Sequence, residues 1–503
     1  MRRVLLLMII MLQAVIAFAE ESSISNQVRQ RNLKATEQYY AQLISGTINN
    51  GAELNLIMTM LPKGADLHNH YSGSLYAETY IDWLEKLKYC IYNENDAVLQ
   101  VEKFRIETKP LISEAGRKKC LTADAVRNDK AFYREVLKRW SNKDYNNHYH
   151  EQNAPDQQFF DTFGYFSAAS NYSAREGLNI LKVRAKAENL QYLETMFKSA
   201  PDINNPNLAK QINDLPQNAS EKDIYQVLSA YADLMASDPD TQQKITNYAK
   251  SIEEAAAGVD DSEFKIRFLS YVSRNNPPAQ VFSGLYSAFA CTQKSKLLVG
   301  VNIVGPENGY VAMRDYKLHM HMFKFLKQLF PSTKLSLHAG ELALGMVPPE
   351  GLTFHIHDAV EVAGAKRIGH GVDIGHESNA LELLEVMKTQ KIAVEVNLTS
   401  NEFILGIKNE AHPVNLYRRY HVPLVISTDD PGVSRNNLSS EYALFVSRYK
   451  PTYNELKEVV YNSIRYSFLQ EEEKAIELKA LSRRFDRFEA SIAKLTRTGG
   501  KLN

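Results

Sequence analysis

Eight short apolar segments, separated by amphipathic stretches, constrain the fold of this chain more than any other feature of its sequence. Each segment has the composition of a buried β-strand and ends in a polar or glycine-rich turn. Strands that alternate with helices form parallel sheets, and eight such units make a closed (β/α)8 barrel. The sequence therefore predicts an α/β fold of the TIM-barrel type, with strands at residues 66–70 and in the runs that begin at Leu190, Ile266, Leu297, Leu335, Arg367, Ile392 and Val422.

The chain of 503 residues is longer than such a barrel, which takes about 250 residues. We assign residues 61–503 to the barrel and place the surplus in two insertions after early strands, where they would decorate its catalytic end. Residues 93–156 are polar, and we interpret them as irregular, whereas residues 201–260 look helical. Residues 20–60 also read as helical and form a predicted N-terminal extension.

Residues 1–19 have the layout of a secretory signal peptide. A basic start at Arg2 precedes an apolar run from Val4 to about Phe18, and small residues lead to a predicted cleavage site after Ala19. The alternative is an uncleaved anchor, but the run is shorter than the ~20 residues that span a bilayer. We expect a secreted or periplasmic protein that has no membrane contact after cleavage.

The charge balance of the chain excludes one class of partner. Lys and Arg together number 59, and so do Asp and Glu, which gives a formal net charge of zero at pH 7. Such a chain has no overall field to attract nucleic acid or an anionic membrane, so we expect a small, roughly neutral partner. Of three cysteines, Cys90 and Cys120 could form a disulfide in an exported protein, which leaves Cys291 unpaired and buried.

Histidines one residue apart occur four times in the sequence, as His68/His70, His148/His150, His319/His321 and His355/His357. At the end of a strand, residues i and i+2 point to the same side and can aim two imidazoles at one point. In a helix the same spacing turns the two side chains roughly 200° apart. The last two pairs lie in helical segments and the second in an Asn-rich loop. Only His68 and His70 are therefore predicted to share a metal ion.

Further polar residues fall at the C-terminal ends of predicted barrel strands, where active sites of this fold are built. They are His338, Glu341, His370, Asp429 and Asp430. Each alone has a structural explanation, such as a helix cap or a hydrogen-bonded core histidine, but packing does not explain the set. Three imidazoles and a carboxylate suit one Zn²⁺ ion with an open position for water, and we predict the ligands His68, His70, His338 and Asp429.

Two of these polar residues have predicted catalytic roles. Zinc lowers the pKa of its water to about 7 and so supplies hydroxide at neutral pH. Attack on the carbon of an aromatic ring also needs a proton on the ring nitrogen, which a buried carboxylic acid can deliver. Glu341, which follows a glycine beyond its strand, is the predicted acid. His370 is predicted to orient the hydroxide and stabilise the developing charge.

Four motifs together resemble those of the adenosine deaminases, a family of the amidohydrolase superfamily. They are "PKGADLHNH" followed by "SG", then "LHAGE", "RIGHG" and "STDDP", and they span the predicted barrel from Pro62 to Pro431. With its exported start and its insertions, the chain is most similar to the adenosine-deaminase-related growth factors. The resemblance implies one zinc ion per chain, bound by the four predicted ligands.

The resemblance also implies roles around a purine substrate. Glu341 would give a proton to purine N1, and His370 would orient the hydroxide that attacks C6. Asp430 matches the carboxylate that bonds N7, and Gly305 lies where a backbone N–H meets N3.

One position departs from the family pattern. His70 and Ser72 are assigned to substrate binding, but many adenosine deaminases carry an aspartate at the Ser72 position, where it contacts the ribose 5′-hydroxyl. A serine hydroxyl can bond there only without the strength of a charged acceptor. The insertions could hold the sugar instead: Phe159, Phe160 and Phe163 are either an apolar wall for a nucleoside or ordinary core residues.

The function that the resemblance implies is hydrolysis of adenosine or 2′-deoxyadenosine to inosine or deoxyinosine and ammonia. Two alternatives stay open: a deaminase of another aminopurine, such as adenine or a modified nucleoside, and a secreted binding or signalling protein without turnover. The H-x-E and P-C-x-x-C motifs of nucleic-acid deaminases do not occur. Residues 21–60 either help to form a homodimer, as in the growth-factor branch, or brace the barrel.

Overall fold

The computed structural model of the protein describes residues 25–46, 51–96, 101–108, 120–147 and 153–497. The predicted signal peptide and the pair His148/His150 lie outside these residues. Within the described ranges, no helix combines the length and the apolar character that crossing a membrane requires.

The described strands include all eight that the sequence predicts. In chain order they are β1 (Gly64–Asp66), β2 (Cys90–Asp96), β3 (Val101–Glu107), β4 (Leu121–Thr122), β5 (Leu190–Ser199), β6 (Lys265–Ser273), β7 (Leu298–Val304), β8 (Ser336–Ala339), β9 (Arg367–His370), β10 (Ala393–Val396) and β11 (Leu424–Ile426). The predicted barrel strands correspond to β1 and β5–β11. The first was placed too late in the sequence, since β1 ends at Asp66 and shares only that residue with the predicted strand at 66–70. Val, Ile and Leu are the commonest residues at their buried positions, as expected for strands covered on both faces, and buried polar residues lie among them.

The barrel consists of two arcs of parallel strands, β1-β5-β6-β7 and β8-β9-β10-β11. Isolated parallel bridges join the arcs at two seams, where Val301 pairs with Leu335 and Asn69 pairs with Asp429. The second bridge brings the C-terminal ends of the first and last barrel strands together. The predicted TIM-type barrel is therefore confirmed.

Helices surround the barrel and fill the segments between its strands. In chain order they are α1 (25–44), α2 (Gly51–Met60), α3 (Tyr71–Ser74), α4 (Ala77–Leu87), α5 (Ala123–Asn128), α6 (Lys130–Arg139), α7 (Pro155–Ser170), α8 (Ala174–Ala187), α9 (Pro206–Asn213), α10 (Glu221–Ser237), α11 (Pro239–Ala256), α12 (Pro278–Thr292), α13 (Tyr310–Leu329), α14 (His355–His357), α15 (Ala380–Thr389), α16 (Leu398–Leu405), α17 (Val414–Arg419), α18 (Pro431–Ser434), α19 (Leu438–Tyr449), α20 (Tyr453–Arg465) and α21 (Glu471–Arg497).

The first insertion contains regular structure, so its interpretation as irregular is wrong. β2 and β3 form an antiparallel pair, and β4 adds to β2. α5 and α6 follow, and each begins at a side-chain N-cap, Thr122 and Asp129. β2, β3 and β4 form a small sheet apart from the barrel, called the side sheet below. Its strands are mostly polar and bury little apolar area, and Ile91 and Phe104 are among its buried residues. A pattern of alternating burial is therefore weak in the sequence.

A disulfide joins the first residue of β2 to the residue that precedes β4. Cys90 and Cys120 are bonded, with their Cα atoms 5.5 Å apart, as the sequence led us to expect. Cys291 is free and buried in α12. Trp140, at the end of α6, donates to the carbonyl of Phe104 at 2.9 Å. The sheet and α6 therefore form one packed unit.

The second insertion is helical, and its helices cover the outer layer of the barrel. α9, α10 and α11 begin at Asn205, Ser220 and Asp238, whose side chains accept backbone N–H groups of the first turn. These helices pack on α12 and α13.

The N-terminal helix α1 packs on C-terminal helices of the same chain. The Tyr40 hydroxyl donates to the carbonyl of Pro451 at 3.0 Å, and its ring lies 5.7 Å from that of Tyr453. The Thr36 hydroxyl contacts the carbonyl of Glu489 at 3.4 Å. α1 thus braces the end of the chain, and its role in a homodimer stays a prediction.

Candidate metal centre and catalytic cavity

Three imidazoles and one carboxylate converge at the C-terminal end of the barrel. His68 and His70 follow β1, His338 lies in β8, and Asp429 follows β11. One possible ligand atom from each residue lies within 4.8 Å of the others. The Nε2 atoms of His70 and His338 are 3.2 Å apart, and Asp429 Oδ1 lies 3.3 Å from the same atom of His70. The structure therefore brings the predicted ligand set together.

The donor atoms of this set fit a zinc ion. Imidazole nitrogens and a carboxylate oxygen are the groups that Zn²⁺ takes in catalytic sites. Among the described residues, His68 Nε2 is buried and has no hydrogen-bond partner. The facing Nε2 atoms of His70 and His338 would also be stabilised by a shared cation. The cluster thus has the composition and the unpaired atoms of a metal site.

Buried hydrogen-bonding groups fix the orientation of the His68 ring. Its Nδ1 donates to Glu395 Oε2 at 2.7 Å, and the other oxygen of Glu395 accepts from Arg367 at 2.5 Å and from Ser336 at 2.8 Å. Burial raises the pKa of Glu395, but Arg367 and His68 outweigh it and lower this pKa to about 2. The ionised carboxylate fixes Nδ1 as the donor and leaves Nε2 of His68 for a metal.

The Nδ1 atom of His338 bonds a neutral side chain, whereas that of His68 bonds a carboxylate. Its Nδ1 donates to Asn302 Oδ1 at 3.0 Å. The pKa of His338 lies well below its usual value, first because the ring is buried and then because His68 and His70 are close. The neutral imidazole is the form that binds metal ions.

The carboxyl group of Glu341 is buried beside the ligand set. Burial raises its pKa well above the usual value, and the nearby Asp429 and Glu307 raise it further. The backbone N–H groups of Gly340 and Glu341 donate to the two oxygens of Glu307 at 3.1 and 2.8 Å. His355 Nδ1 donates to the same carboxylate at 2.5 Å. Glu307 therefore fixes the turn that carries Glu341.

His370 and Asp429 have strained backbones. Their φ angles are 68° and 62°, in the left-handed region that non-glycine residues rarely adopt. Such strain concentrates at functional sites, where surrounding contacts maintain it. The His370 ring lies 4.8 Å from that of His68, and its Nδ1 is 2.9 Å from the side-chain nitrogen of Asn401.

Asp430 presents an unpaired oxygen. Its Oδ1 is buried and, in the part of the chain that the structure describes, has no hydrogen-bond partner. A Cβ atom on Gly73 would lie 1.6 Å from this oxygen, so the glycine of "YSGS" makes room for it. Burial, and then the charge of Asp429, raise the pKa of Asp430 well above its usual value. An unpaired buried carboxyl in a cavity wall indicates a ligand contact.

A cavity of about 140 Å³ opens onto these groups. α7, which follows the first insertion, contributes Phe159, Phe160 and Phe163 to its lining, together with Tyr271 from β6. The ring centroid of Phe159 lies 5.2 Å from that of Phe160 and 5.8 Å from that of Phe163, in edge contacts. Both sequence interpretations of these phenylalanines fit the structure: they line the cavity, and Phe159 is also a buried core residue against which Phe160 and Phe163 pack.

The remaining predicted residues also line this cavity. Gly305 has a φ of +99°, and a Cβ atom there would lie 3.0 Å from the side-chain nitrogen of Asn275, so both backbone and space favour glycine. Ser72 and His70 also line this cavity. The Tyr80 hydroxyl donates to the Ser72 carbonyl at 2.5 Å and holds α3 in place.

The two other described histidine pairs are helical, as predicted. His319/His321 lie in α13 and His355/His357 in α14. The buried polar residues that support the site were not predicted from the sequence; they are Asn302, Glu307, Glu395, Asn401 and His412. A polar residue inside or just after a buried strand is the pattern that could have identified most of them.

A closed (β/α)8 barrel with three imidazoles and a carboxylate at the C-terminal ends of its strands defines a metal-binding hydrolase of the amidohydrolase superfamily. The sequence model of the family described as adenosine deaminase matches residues 178–482, more than half of the chain. The chain belongs to the adenosine deaminase family.

A curated relative shows the same affiliation at low identity. The adenosine deaminase of Aliivibrio fischeri (strain MJ11) is 29% identical over 227 residues, which are 44% of this chain and 61% of the relative. The match thus spans less than two thirds of that relative.

Solved structures of similar fold carry several names. An adenine deaminase from Arthrobacter aurescens has a TM-score of 0.51 and 15% identity, with 84% of this chain and 98% of that chain covered. An N6-methyl-AMP deaminase from Arabidopsis thaliana gives 0.54 and 16%, with 85% and 98% covered. An amidohydrolase from Burkholderia ambifaria with bound Zn gives 0.51 and 17%, with 89% and 96% covered. At these identities the likeness shows the fold.

Proposed function

We propose that the protein is a zinc-dependent deaminase that converts adenosine or 2′-deoxyadenosine, with water, to inosine or deoxyinosine and ammonia. The observation that carries the proposal is the meeting of the four-residue ligand set with Glu341 and Asp430 at one cavity. One zinc ion per chain, held by His68, His70, His338 and Asp429, would act as a Lewis acid and lower the pKa of water to about 7.

Asp430 and Gly305 are suited to orient the purine. The pKa of the Asp430 carboxyl is raised well above its usual value, which favours the protonated form that can donate a hydrogen bond to purine N7. The backbone N–H of Gly305 can donate to N3, and the absent side chain lets the ring approach the backbone. Ser72 and His70, which line the same cavity, lie on the substrate side of the site.

Glu341 transfers the proton that the reaction needs. Its buried carboxyl, whose pKa is raised well above the usual value, is suited to carry a proton and give it to N1, which draws electrons from C6. The water oxygen bonds to C6, and the Glu341 carboxylate takes up a proton from that water. The proton then passes to the 6-amino group, the C6–N bond breaks and ammonia leaves. The remaining hydroxyl proton returns to Glu341 as the C6=O bond forms, which restores the acid. His370 orients the attacking water and stabilises charge on its oxygen.

The cavity lining favours a substrate without phosphate. It contains the carboxyl groups of Glu341, Asp429 and Asp430, and within the described chain it contains no lysine or arginine. A 5′-phosphate would lose its water against phenyl rings and acidic groups with no cation to pair with. We therefore infer a nucleoside substrate, although one structure of similar fold is an N6-methyl-AMP deaminase.

The test combines a metal count with a substrate screen. The purified protein is analysed for zinc and assayed by the change in purine absorbance for loss of the 6-amino or 6-methylamino group from adenosine, 2′-deoxyadenosine, adenine, N6-methyladenosine and AMP. We expect about one zinc per chain, the highest kcat/KM for the two unmodified nucleosides and a far lower value for AMP. A preference for adenine or N6-methyladenosine would support the aminopurine alternative, and zinc without any turnover would support a binding protein.

We also propose that the protein acts outside the cytoplasm, secreted or in a periplasm. The signal-peptide layout of residues 1–19 supports this location, as does the Cys90–Cys120 disulfide, a bond that persists in oxidising compartments. N-terminal sequencing of the exported protein should begin at Glu20. An N-terminus at Met1 would contradict cleavage.

A further inference from the structure

A buried chain of side chains connects His370 to a second histidine that lies outside the catalytic cavity. Asn401 Nδ2 lies 2.9 Å from His370 Nδ1, and Asn401 Oδ1 lies 3.0 Å from His412 Nε2. The three residues are 1%, 0% and 2% exposed, in the order His370, Asn401, His412. Water therefore has little access to any of these hydrogen bonds, and their directions are set by the protein.

The position of the proton on His412 follows from its surroundings. Burial lowers the pKa of His412 to about 3, so the ring is neutral and carries one proton. Its Nδ1 is buried and, among the described residues, has no hydrogen-bond partner. A buried N–H without an acceptor is more costly than an unused lone pair, because the donor loses its bond to water. The proton therefore belongs on Nε2, where Asn401 Oδ1 accepts it.

This bond fixes the orientation of the Asn401 amide. With Oδ1 bonded to His412, the amide nitrogen faces His370 and donates to its Nδ1. The side-chain nitrogen of Asn397 lies 3.4 Å from the same Nδ1, so a second amide also presents N–H groups there. Glu341 Oε1 is 3.6 Å from this atom, which is beyond hydrogen-bond distance. Nδ1 of His370 is thus an acceptor, and its proton lies on Nε2.

We propose that Asn401 and His412 are positioning residues that hold His370 in its Nε2–H tautomer. His370 then acts as a hydrogen-bond donor to the oxygen that attacks the substrate, and not as the base that removes a proton from it. The catalytic consequence rests on the proposed function. The tautomer itself does not depend on any substrate.

Nitrogen-15 NMR of the full-length, zinc-loaded protein with labelled histidine rings measures the tautomer directly. The His370→Gln variant identifies the signals of His370 by their loss. We expect an unprotonated Nδ1 and a protonated Nε2. A protonated Nδ1 in the wild-type protein would overturn the proposal.

Substitutions along the chain test whether the two residues set this tautomer. Asn401→Asp replaces the donor by a carboxylate that accepts from both rings, so the His370 proton should move to Nδ1. His412→Gln keeps an N–H group near the position of Nε2 and should preserve the wild-type tautomer. His412→Ala leaves the amide free to rotate and should give a mixture. His319→Gln is the control, since His319 is another buried histidine with an unpartnered Nε2, located in α13.

Kinetics separate positioning from a merely structural role. In Asn401→Asp, kcat should fall about 100-fold or more, the range for loss of a hydrogen-bond donor to developing charge, while KM and zinc content stay near wild type. His412→Gln and His319→Gln should retain kcat. The proposal would be refuted if kcat fell equally in His412→Gln and His412→Ala, or if the His370 tautomer were unchanged in Asn401→Asp. If the wild-type protein deaminates nothing, the proposed function fails, and the NMR result still decides the tautomer.

Discussion

At the scale of single residues, the site gives different properties to three carboxyl groups that share one buried cavity. Burial raises the pKa of each, but the imidazoles of His68 and His70, whose Nε2 atoms lie 3.4 and 3.3 Å from Asp429 Oδ1, reverse its effect on Asp429, whose pKa is lowered well below the usual value. Among the described residues no imidazole comes as close to Glu341 or Asp430, and their pKa values stay raised. The same chemical group therefore serves as a metal ligand or as an acid according to its neighbours.

The role of Glu341 as an acid leads to a first prediction. Glu341→Gln keeps the shape of the side chain and the backbone bonds to Glu307, but it has no proton to transfer. We expect unchanged zinc content and a kcat reduced by about 10²- to 10⁴-fold, measured by elemental analysis and steady-state kinetics. Glu377→Gln is the matched control, because burial raises the pKa of Glu377 to about 7 outside the cavity. Activity of Glu341→Gln close to that of this control would remove Glu341 from the mechanism.

A second prediction concerns the different hydrogen-bond partners of His68 and His338, two of the predicted metal ligands. His68 donates to the carboxylate of Glu395, whereas His338 donates to the amide oxygen of Asn302. Asn302 Oδ1 also accepts two backbone N–H groups, so an aspartate would keep these bonds and add a charge. We expect Asn302→Asp to bind zinc more tightly and Glu395→Gln to bind it about 10- to 100-fold more weakly. Competition with a chelator measures both, and weaker binding by Asn302→Asp would contradict this account.

At the scale of elements, the sequence predicts the barrel strands and the polar residues at their ends because both patterns are local. A buried parallel strand is a short apolar run, and the turn after it carries the site. The supporting contacts are not local: His68 and Glu395 are 327 residues apart in sequence, and only closure of the barrel brings them together. Glu395 lies within the run "AVEV" of β10, where nothing nearby identifies its partner.

The side sheet was not predicted, for a different physical reason. Its strands "CIYNEND" and "VEKFRIE" carry mostly polar residues, so they lack the alternation that identifies a half-buried strand. Their pairing is stabilised by the disulfide and by the contacts of β3 with α7. The same contacts connect the sheet to function, because α7 carries the phenylalanine wall of the cavity.

This connection gives a third prediction. Replacing both Cys90 and Cys120 by serine opens a loop closed over 30 residues, which in the chain-entropy view is worth about 3–4 kcal/mol. We expect the side sheet to become sensitive to proteases and KM to rise, since α7 loses support. Zinc content and kcat should stay the same because the ligands lie on barrel strands. Cys291→Ala is the control, and an unchanged KM in the double variant would separate the sheet from substrate binding.

At the scale of the whole molecule, the predicted metal site spans the seam between β1 and β11, where an isolated bridge joins the two arcs of barrel strands. The arc β1-β5-β6-β7 and the arc β8-β9-β10-β11 meet at the β1–β11 seam through His70 N to Asp429 O at 3.0 Å and Asp429 N to His68 O at 2.9 Å. The predicted ligands come from both arcs, His68 and His70 from one, His338 and Asp429 from the other. A bound ion would therefore crosslink the arcs at this seam.

Removal of the metal should consequently loosen one seam more than the other. With free zinc at 100 to 1,000 times its Kd, binding stabilises the fold by about 3 to 4 kcal/mol, so a chelator should lower Tm. Hydrogen exchange should accelerate first at the amides of His70 and Asp429, while the amide of Val301, at the opposite seam, stays protected. In His338→Ala, which lacks one predicted ligand, the chelator should change neither Tm nor the exchange rates at the β1–β11 seam. A uniform loss of protection, or none at the β1–β11 seam, would show that the ion does not join the two arcs.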